Sequence, residues 1–432
     1  MTLTAMPKYE AYKDSGVEWI GDIPAHWNIR KLKYISNINN QTLPENTAGD
    51  FLFDYVDIGS VTLENGIEKV ETFRFSDAPS RARRLAKQGD TVVSTVRTYL
   101  KAISYVDRKS SEYIYSTGFA VINPKDENSS KYLTHFIKSD AFTNQVDDVA
   151  KGISYPAINS SELSNLLVVE PSTPEKNAIA DFLDEKTAKI DDAIAIKERQ
   201  IALLNERKQI LIQQAVTNGF NPCAPLKDSG IEWIGKIPEH WECKKVKHLF
   251  RLAMEQSEKN NNHELLSVYS DIGVKPRKEL EERGNKASTT DGYWIVKKGD
   301  VVVNKLLAWM GAIGLSEYDG VTSPAYDILR PKKRLNGHFY HYLFRSKFCS
   351  TELKRHSRGI MDMRLRLYFD KFGVIEVPYP PKEEQDKIIE KLNELLSDVN
   401  NGINVINKQI KKYQEYKSTL INSAVTGKIK VV

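Results

Sequence analysis

Apolar residues recur at heptad spacing in two long segments of the chain. The first segment begins near Thr173 and Pro174 and ends about Gly219, and the second begins after Pro381 and ends about Gly427. An N-cap threonine before a proline, with a glycine at the far end, is typical of a helix start and stop. The apolar positions are Leu183, Ile190, Leu204 and Leu211 with Ile194, Ile201 and Ala215, then Leu392, Val399, Ile406, Tyr413 and Leu420 with Leu396, Ile403, Ile410 and Ala424.

Sustained heptads of this kind predict a coiled coil. Each helix would have about 40 residues and a length of about 60 Å at roughly 1.5 Å per residue. The two stripes superpose at a shift of 209 residues. We therefore expect the helices to pack on each other, antiparallel, about a pseudo-two-fold axis. The alternative is that each amphipathic helix packs only on its own domain.

The rest of the chain is also duplicated. Residues 13–27 return as residues 227–241, at a shift of 214, with the same Trp, Gly, Pro and His positions. Self-similarity at a fixed period sets the architecture of a chain, and between the matches the two halves share little. This pattern indicates one scaffold that carries two different binding surfaces. The further matches are residues 57–59 with 271–273, 87–93 with 297–303, 151–153 with 358–360, and 215–217 with 424–426.

The divergent segments, about 28–170 and 242–378, mix β-rich runs with short helical patterns. The predicted fold class is α/β or α+β, with two globular domains separated by the two long helices. The predicted domains are residues 1–171, the first helix at 172–219, residues 220–379, and the second helix at 380–432. Because the two ends of the repeat have the same sequence context, we also expect the chain termini to lie close together.

Composition narrows the class of protein. A chain of 432 residues should hold more than one core. It has no apolar run near the roughly 18 residues of a membrane helix, and its first residues lack the apolar centre of a signal peptide. The three cysteines, Cys223, Cys243 and Cys349, have no metal spacing. We therefore expect reduced thiols in a cytoplasmic protein with no membrane partner.

A search for catalytic motifs indicates a non-catalytic chain. We find no acidic-pair nuclease constellation, no His or Cys metal cluster and no Gly-rich loop that opens a βαβ unit. Residues 230–237 fit most of a phosphate-binding loop, but Ile237 stands where Ser or Thr is needed. In the first copy Asp22 replaces the lysine. The repeated Trp and Ile residues of this segment are expected to pack each half against a long helix.

Basic residues cluster in both halves. Residues 331–366 contain ten Lys or Arg and two acids, and clustered Arg and Lys are typical of phosphate contact. Arginine also pairs with guanine edges in the major groove. A solvated surface is the alternative. The candidate DNA-binding residues are Arg81, Arg83, Arg84, Arg97, Tyr99 and Lys101 in the first half, and Lys305, Arg358, Met361, Asp362, Arg364 and Arg366 in the second.

Two glycines, Gly152 and Gly359, precede short polar and aromatic segments. A loop at either position is able to enter a DNA groove, which adds Ser154 and Tyr155 to the candidates. Asp362 is suited to accept a hydrogen bond from cytosine. An ordinary turn is the alternative at both positions.

Together these elements resemble a known family over nearly the whole chain, the specificity (S) subunits of type I restriction–modification systems. The resemblance rests on the Trp19–Trp27 opening and its second copy, the Pro-containing lead into each long helix, and the Ala-Val-Thr ends at 215–217 and 424–426. It implies two target recognition domains held apart by an antiparallel coiled coil, which acts as a ruler. The DNA site is then bipartite and asymmetric.

The resemblance also implies partners and a division of labour. The family S subunit has no catalytic activity. It binds two modification subunits, which use S-adenosylmethionine to methylate adenine in double-stranded DNA, and two restriction subunits, which use ATP and Mg²⁺. The chain itself is expected to hold no cofactor and no metal. The alternative function is a coiled-coil assembly or inhibitor protein that binds only protein partners. A nuclease or methyltransferase in its own right is disfavoured by the missing motifs.

Overall fold

The computed structural model describes residues 6–280, 290–360 and 364–431. Most strands are short. In the first half they are β1 Tyr12–Asp14, β2 Asp22–Pro24, β3 Asn28–Lys31, β4 Ser36–Ile38, β5 Leu52–Val56, β6 Val61–Thr62, β7 Gly66–Ile67, β8 Glu71–Arg74, β9 Ala82–Leu85, β10 Thr91–Ser94, β11 Ile103–Tyr105, β12 Ile114–Ser116, β13 Phe119–Pro124 and β14 Leu167–Glu170. The helices are α1 Leu32–Ile35, α2 Ser130–Lys138, α3 Asp140–Val149, α4 Ser160–Ser164 and the long α5 Thr173–Thr217.

The second half repeats this order of elements with fewer described strands. They are β15 Leu226–Asp228, β16 Lys236–Pro238, β17 Glu242–Lys245, β18 Phe250–Ala253, β19 Leu266–Tyr269, β20 Gly273–Pro276, β21 Trp294–Val296, β22 Val301–Asn304, β23 Ile313–Leu315, β24 Gly320–Thr322, β25 Tyr326–Pro331 and β26 Glu376–Tyr379. The helices are α6 Val246–Leu249, α7 Gly337–Arg345, α8 Lys347–Arg355, α9 Phe369–Phe372 and the long α10 Lys382–Val425.

Both halves contain the same four-stranded antiparallel sheet. Its order is β11-β10-β13-β4 in the first half and β23-β22-β25-β18 in the second. The inner strands β10 and β22 are buried at all four positions, which explains their continuous β-branched runs. A helix pair, α2–α3 or α7–α8, follows each sheet in the chain. The antiparallel pairing makes the fold α+β, which settles the choice that the sequence left open.

The halves differ in their second layer. In the first half β8-β5-β12-β9 form a mixed sheet in which β5 and β12 are parallel. In the second half the described strands of this layer form two pairs, β19-β20 and β21-β24. A parallel β-bridge between Leu265 and Val321 joins these two pairs, so the parallel neighbours of the first half, β5 and β12, have an equivalent in the second.

Each duplicated opening folds as a hairpin with a buried tail. Strands β1 and β2 pair in the first copy, and β15 and β16 pair in the second. The phosphate-loop-like residues thus lie in a hairpin, and Ile237 is buried. The expectation that these residues pack against a long helix is confirmed for Trp27 and Trp241, which are fully buried and share cores with residues of α5 and α10. Trp19, in contrast, is 38% exposed. The other buried isoleucines of the two openings are Ile20, Ile23 and Ile234.

Contacts divide the chain into two units, residues 1–197 with 408–432, and residues 198–407. Within the first unit, Leu183 and Ile190 of α5 share a core with Leu420 and Ala424 of α10. Trp27 donates a hydrogen bond to Glu175 near the start of α5 and lies beside Gly427, just beyond the end of α10, and Lys417 pairs with Asp191. Rising numbers on one helix therefore meet falling numbers on the other, and the helices run antiparallel. The predicted pairing is confirmed, and because the same core includes residues of the globular domain, the helices also pack on that domain.

Within the second unit, Ala215 and Val216 of α5 share a core with Ile388 and Leu392 of α10. One polar contact of the first unit is repeated there. Lys417 Nζ donates to Asp191 at 2.6 Å, and Lys208 Nζ donates to Asn400 Oδ1 at 2.7 Å. The two lysines are 209 residues apart, and so are their two partners. The lysine lies on α10 in the first contact and on α5 in the second. The heptad alignment therefore holds at the level of individual contacts.

The two ends of the described chain meet in the first unit. The Lys430 N–H donates to the Pro7 carbonyl at 2.7 Å, and the Tyr12 hydroxyl donates to the Gly427 carbonyl at 3.1 Å. A Cβ on Gly427 would lie 2.4 Å from Pro24, so only glycine allows this approach. The expectation of neighbouring termini is confirmed. No helix in the described residues is both long and apolar enough to cross a membrane.

Candidate nucleic-acid interface

Two surface segments of the first domain adjoin at the end of strand β10. One is the turn at residues 97–101, between β10 and β11, and the other is the loop at residues 151–157. Val96 and Ala157 form an isolated β-bridge, and the Thr98 N–H donates to the Pro156 carbonyl at 3.3 Å. These two segments are called the first tip. The structure therefore brings Arg97, Tyr99, Lys101, Ser154 and Tyr155 to one place, although the sequence separates them by more than 50 positions.

The basic residues of the first tip have unusual backbone conformations. Arg97 has φ 53° and Lys101 has φ 45°, the left-handed region that non-glycine residues rarely occupy. Each costs roughly 1–2 kcal/mol of backbone strain. The Arg97 guanidinium lies 5.2 Å from the centroid of the Tyr155 ring, and Lys101 Nζ donates to Thr143 Oγ1 of α3 at 3.1 Å. Strain of this kind is concentrated at functional sites.

The tip is also rich in exposed apolar and aromatic surface. Tyr99 is 56% exposed, Tyr155 66% and Ile153 fully exposed. The loop is closed by two hydrogen bonds between Lys151 and Ala157, both 2.9 Å long. A Cβ on Gly152 would lie 3.0 Å from the Tyr155 carbonyl oxygen. A tight loop therefore requires glycine at residue 152, and entry of this loop into a DNA groove stays a prediction.

Arg81 lies just before strand β9 and Arg83 and Arg84 lie within it, and the three side chains differ in exposure. Arg81 is exposed, and its carbonyl accepts from the Thr117 N–H at 2.7 Å. The neighbouring Gly118 carbonyl accepts from Thr95, two residues before Arg97. Arg81 thus lies on the same edge as the first tip.

Arg83 and Arg84 are half-buried. The Arg83 guanidinium lies 4.6 Å from the Phe75 ring centroid and donates to the Ala82 carbonyl. Arg84 Nε is buried with no acceptor among the described residues. Burial also lowers the pKa of Arg84. These two side chains are packed into the sheet more than they are presented to a partner.

The second domain has an equivalent pair of segments on the same frame. The turn at residues 307–311 joins β22 to β23, and Arg358 and Arg366 form the β-bridge that closes the neighbouring loop. The Leu367 N–H donates to the Lys305 carbonyl at 2.8 Å, as the Ile158 N–H donates to the Thr95 carbonyl at 2.9 Å in the first domain. Residues 305–311, 358–360 and 364–366 are called the second tip.

The basic candidates of the second tip are placed unequally. Lys305 is 19% exposed and is paired with Asp327 at 3.2 Å. Burial raises the pKa of Asp327, and the lysine opposes that rise. Arg358 pairs with Asp370 at 2.8 Å, and both side chains are more than half exposed. Such exposed pairs contribute little, so this arginine exchanges partners at low cost. Arg364 and Arg366 are exposed, whereas Met361 and Asp362 lie outside the described residues.

Sequence reasoning missed the apolar side chains of the second tip. Leu306, Leu307 and Met310 are 37%, 44% and 53% exposed, and Ile360 is fully exposed. A search for basic clusters does not find them. The repeat itself carried the signal, because a shift of 210 aligns Leu307 with Arg97 and Met310 with Leu100.

Other members of the basic run at 331–366 stabilise the domain. Arg345 donates to the carbonyls of Tyr269, Ser270, Gly311 and Ile313 at 2.9–3.2 Å, and so holds the turn of the second tip. Lys332 donates to the Lys247 carbonyl at 2.9 Å. This run is therefore dispersed in space and is not one patch. Among the described residues, no group of three or more His, Cys, Asp or Glu side chains is arranged to hold a metal ion.

Comparisons with known proteins agree with this architecture. The family model described as the type I restriction modification DNA specificity domain matches residues 24–206 and 238–412, once in each half. The MjaX specificity subunit of Methanocaldococcus jannaschii is 22% identical over 437 residues, which cover 95% of this chain and 96% of that protein. The EcoDI specificity subunit of Escherichia coli is 19% identical over 310 residues, which cover 66% and 67%.

Solved structures show the same fold. A chain from the structure described as the basis of complex assembly and conformational transition of the type I R-M system has a TM-score of 0.68 at 20% identity, over 93% of this chain and 98% of that one. The HsdS subunit from Thermoanaerobacter tengcongensis has a TM-score of 0.50 at 20% identity, over 94% and 98%. With the family model matched in both halves, the chain belongs to the type I restriction–modification specificity subunits.

Proposed function

We propose that this chain reads a bipartite, asymmetric site in double-stranded DNA, with one recognition domain for each half-site. The observation that carries the proposal is the pair of tips. Each tip adjoins the four-stranded sheet of its own domain, and these two sheets are equivalent. Each tip combines exposed apolar or aromatic side chains with arginine. Basic residues supply phosphate contact, and exposed side chains at a loop tip supply contact with base edges.

The asymmetry of the site follows from the chemistry of the tips. The first tip presents Arg97, Tyr99 and Tyr155, and the second presents Leu307, Met310 and Arg366. Two surfaces with different donors and different apolar groups favour different base pairs. A duplicated frame with two such surfaces is suited to two unlike half-sites.

We further propose that the long helices bind the modification subunits. Helix α5 carries three exposed apolar side chains at heptad spacing, Ile196, Leu203 and Ile210, which are 60%, 50% and 57% exposed. An apolar stripe left over after helix pairing is typical of a surface that receives another helix. Two modification subunits would supply S-adenosylmethionine chemistry, and two restriction subunits would supply ATP- and Mg²⁺-dependent cleavage. This chain would contribute recognition and assembly, without catalysis of its own.

The test is a methylome. The chain is expressed with its own modification subunit in a host that lacks adenine methylation, and modified bases are read by single-molecule sequencing. The expected result is a split motif with a constant gap, and exchange of one variable domain should change one half only. Absence of modified adenine, with the complex formed and the partner shown to be active, would contradict the proposal.

A binding measurement separates DNA recognition from the protein-only alternative. Affinity of the complex for DNA is measured between about 50 and 200 mM salt. A reader that makes phosphate contacts loses affinity steeply over this range because counterions are released. An assembly or inhibitor protein would show weak binding without a specific sequence.

A further inference from the structure

One exposed apolar side chain lies at the outer end of each tip. Ile153 follows Gly152 in the first tip, and its side chain is as exposed as in an extended peptide, at 104%. The loop that carries it is closed by the Lys151–Ala157 hydrogen bonds, so the isoleucine is held away from the domain core. Nothing in the folding of the domain uses it.

A single exposed apolar residue would need no explanation. The repeat supplies the second observation. Ile360 follows Gly359 in the second tip and is 101% exposed. The two loops differ in length, since the bridges close at Lys151–Ala157 and at Arg358–Arg366. Loops that differ in length and in most of their residues therefore share a glycine followed by a fully exposed isoleucine.

The two glycines have the same structural cause. A Cβ on Gly152 would lie 3.0 Å from the Tyr155 carbonyl oxygen, and a Cβ on Gly359 would lie 2.6 Å from the Arg364 carbonyl oxygen. In each loop the returning backbone passes over the glycine, so the next residue is directed outward. The geometry explains why an isoleucine in this position is presented and not buried.

The surroundings of Ile153 are charged and aromatic. Tyr155 lies on the same loop, and its ring centroid is 5.2 Å from the guanidinium carbon of Arg97. Arg97 and Tyr99 lie on the adjoining turn. In the second tip Arg364 and Arg366 are exposed on the same loop as Ile360. An apolar summit with basic side chains beside it is complementary to a groove whose walls are phosphates and whose floor includes thymine methyl groups.

We propose that Ile153 and Ile360 are matched specificity-determining residues, each lying against base edges in the groove and favouring thymine at one position of its half-site. This inference rests on the proposed function, and it adds that both domains use the same loop position for an apolar contact. The residues that flank each isoleucine differ between the tips, and they determine the base preference at the neighbouring positions of each half-site.

The test replaces each isoleucine in the full chain, within the complex with its modification subunit. The variants are Ile153→Ala and Ile360→Ala, with Ile153→Val as the conservative variant. Leu52→Ala is the matched control, because Leu52 is an exposed apolar residue of the first domain, at 60%, and it lies on β5, outside the tip. The readouts are the methylome and the DNA affinity at two salt concentrations.

Ile153→Ala should relax the base preference at one position of one half-site, and Ile360→Ala at one position of the other. Affinity for the full site should fall roughly tenfold, with an unchanged salt dependence because no phosphate contact is lost. Ile153→Val and Leu52→Ala should leave the motif sharp. An unchanged motif in both alanine variants, or equal weakening on all sequences, would overturn the inference.

The two proposals fail differently. If the wild-type complex produces no split motif, the proposed function fails and the inference falls with it. If the wild-type motif is split and sharp but the isoleucine variants leave every position unchanged, only the inference fails.

Discussion

The two tips are built on equivalent sheets of the two domains but present different side chains. At the turn between the inner and edge strands, Arg97, Tyr99 and Lys101 of the first domain correspond to Leu307, Trp309 and Gly311 of the second. Lys101 and Gly311 share the left-handed conformation, with φ 45° and 88°. Glycine accepts this geometry without strain, and lysine does not. The two turns therefore share the backbone conformation at this position but not at the first one, where Arg97 has φ 53° and Leu307 has φ −118°.

Both turns are also held from the same helix position. Lys101 Nζ donates to Thr143 of α3 at 3.1 Å, and Ser350 of α8 donates to the Trp309 carbonyl at 2.7 Å. Thr143 and Ser350 are equivalent at a shift of 207. The positions that anchor these turns are therefore shared between the domains, whereas the turn residues exposed to solvent differ. Recognition of the bases next to these turns is expected to depend on the residues that differ.

A second difference lies where each opening meets the start of a long helix. Glu175 accepts hydrogen bonds from Trp27 at 3.0 Å, His26 at 2.8 Å, and the Ser172 N–H and hydroxyl. The equivalent Glu384 accepts from His240 at 2.7 Å. Pro381 replaces Ser172 and has neither donor. Trp241 Nε1 is buried with no acceptor among the described residues. The contact between the opening and the long helix is therefore stronger at Glu175 than at Glu384.

The largest expected effect tests this contrast with Trp27→Phe and Trp241→Phe. Both variants lose similar core volume, but only Trp27→Phe also loses a hydrogen bond to a carboxylate, worth about 1.5–3 kcal/mol. We expect the first variant to be the more destabilised by about that amount. Hydrogen exchange of residues 20–29 and 234–243 measures each unit separately. Equal losses of protection in the two variants would show that the Glu175 contact contributes nothing.

Acid sensitivity provides the next test. Burial would raise the pKa of Glu175, but the hydrogen bonds from Trp27, Ser172 and His26 outweigh it and lower the pKa to about 2. A lowered folded-state pKa means that the carboxylate stabilises the fold above its usual pKa of 4.5, and that this stability is lost as the pH falls from there towards 2. Glu175→Gln should reduce stability at pH 7 by about 2 kcal/mol and flatten the acid dependence.

Urea unfolding at pH 7, 5 and 3.5 measures that dependence. Glu384→Gln is the matched control, and its smaller set of hydrogen bonds predicts a smaller loss at pH 7. A Glu175→Gln variant whose stability falls with acid as steeply as that of the wild type would contradict the assignment.

Only part of the fold could be predicted from the sequence. The helices and the duplication were predictable because heptads and repeats are periodic signals that need no knowledge of tertiary contacts. The choice between α/β and α+β was not, because β4 reaches β13 across more than 80 residues. Strand pairing at that distance leaves no local pattern, and the antiparallel order became visible only in the structure.

The candidate site was also predicted only in part. Arg97 and Tyr99 were predicted from one basic cluster and Tyr155 from the loop after Gly152, and the structure brings the two segments together. Lys305 was chosen for its charge, yet Asp327 pairs with it from 22 residues away. Leu307 was overlooked because a search for basic residues passes over apolar ones. The DNA contacts of all these residues stay predictions.

Arg97 and Leu307 occupy equivalent positions in the two turns, and exchanging their residue types tests whether the turns contact DNA. Arg97→Leu should weaken DNA binding roughly tenfold and make its salt dependence shallower by about one unit if a phosphate is lost, or relax one base position if a base contact is lost. Leu307→Arg should make the salt dependence steeper by a similar amount. Filter binding at several salt concentrations, together with the methylome, distinguishes these results. No change in slope or motif for either variant would place the turns outside the DNA interface.

The smallest expected effect concerns the repeated contact of the long helices. Lys417 meets an aspartate at residue 191, and Lys208 meets an asparagine at residue 400, in equivalent positions. Because Asp191 is 52% exposed, the ion pair should contribute only about 0.5 kcal/mol. Asp191→Asn should lose that amount and Asn400→Asp should gain it, and both differences should vanish near 1 M salt, where charges are screened. Urea unfolding at low and high salt measures them. If the differences persist at high salt, packing around the two lysines differs and the helix pairing is less symmetric than its shared contacts indicate.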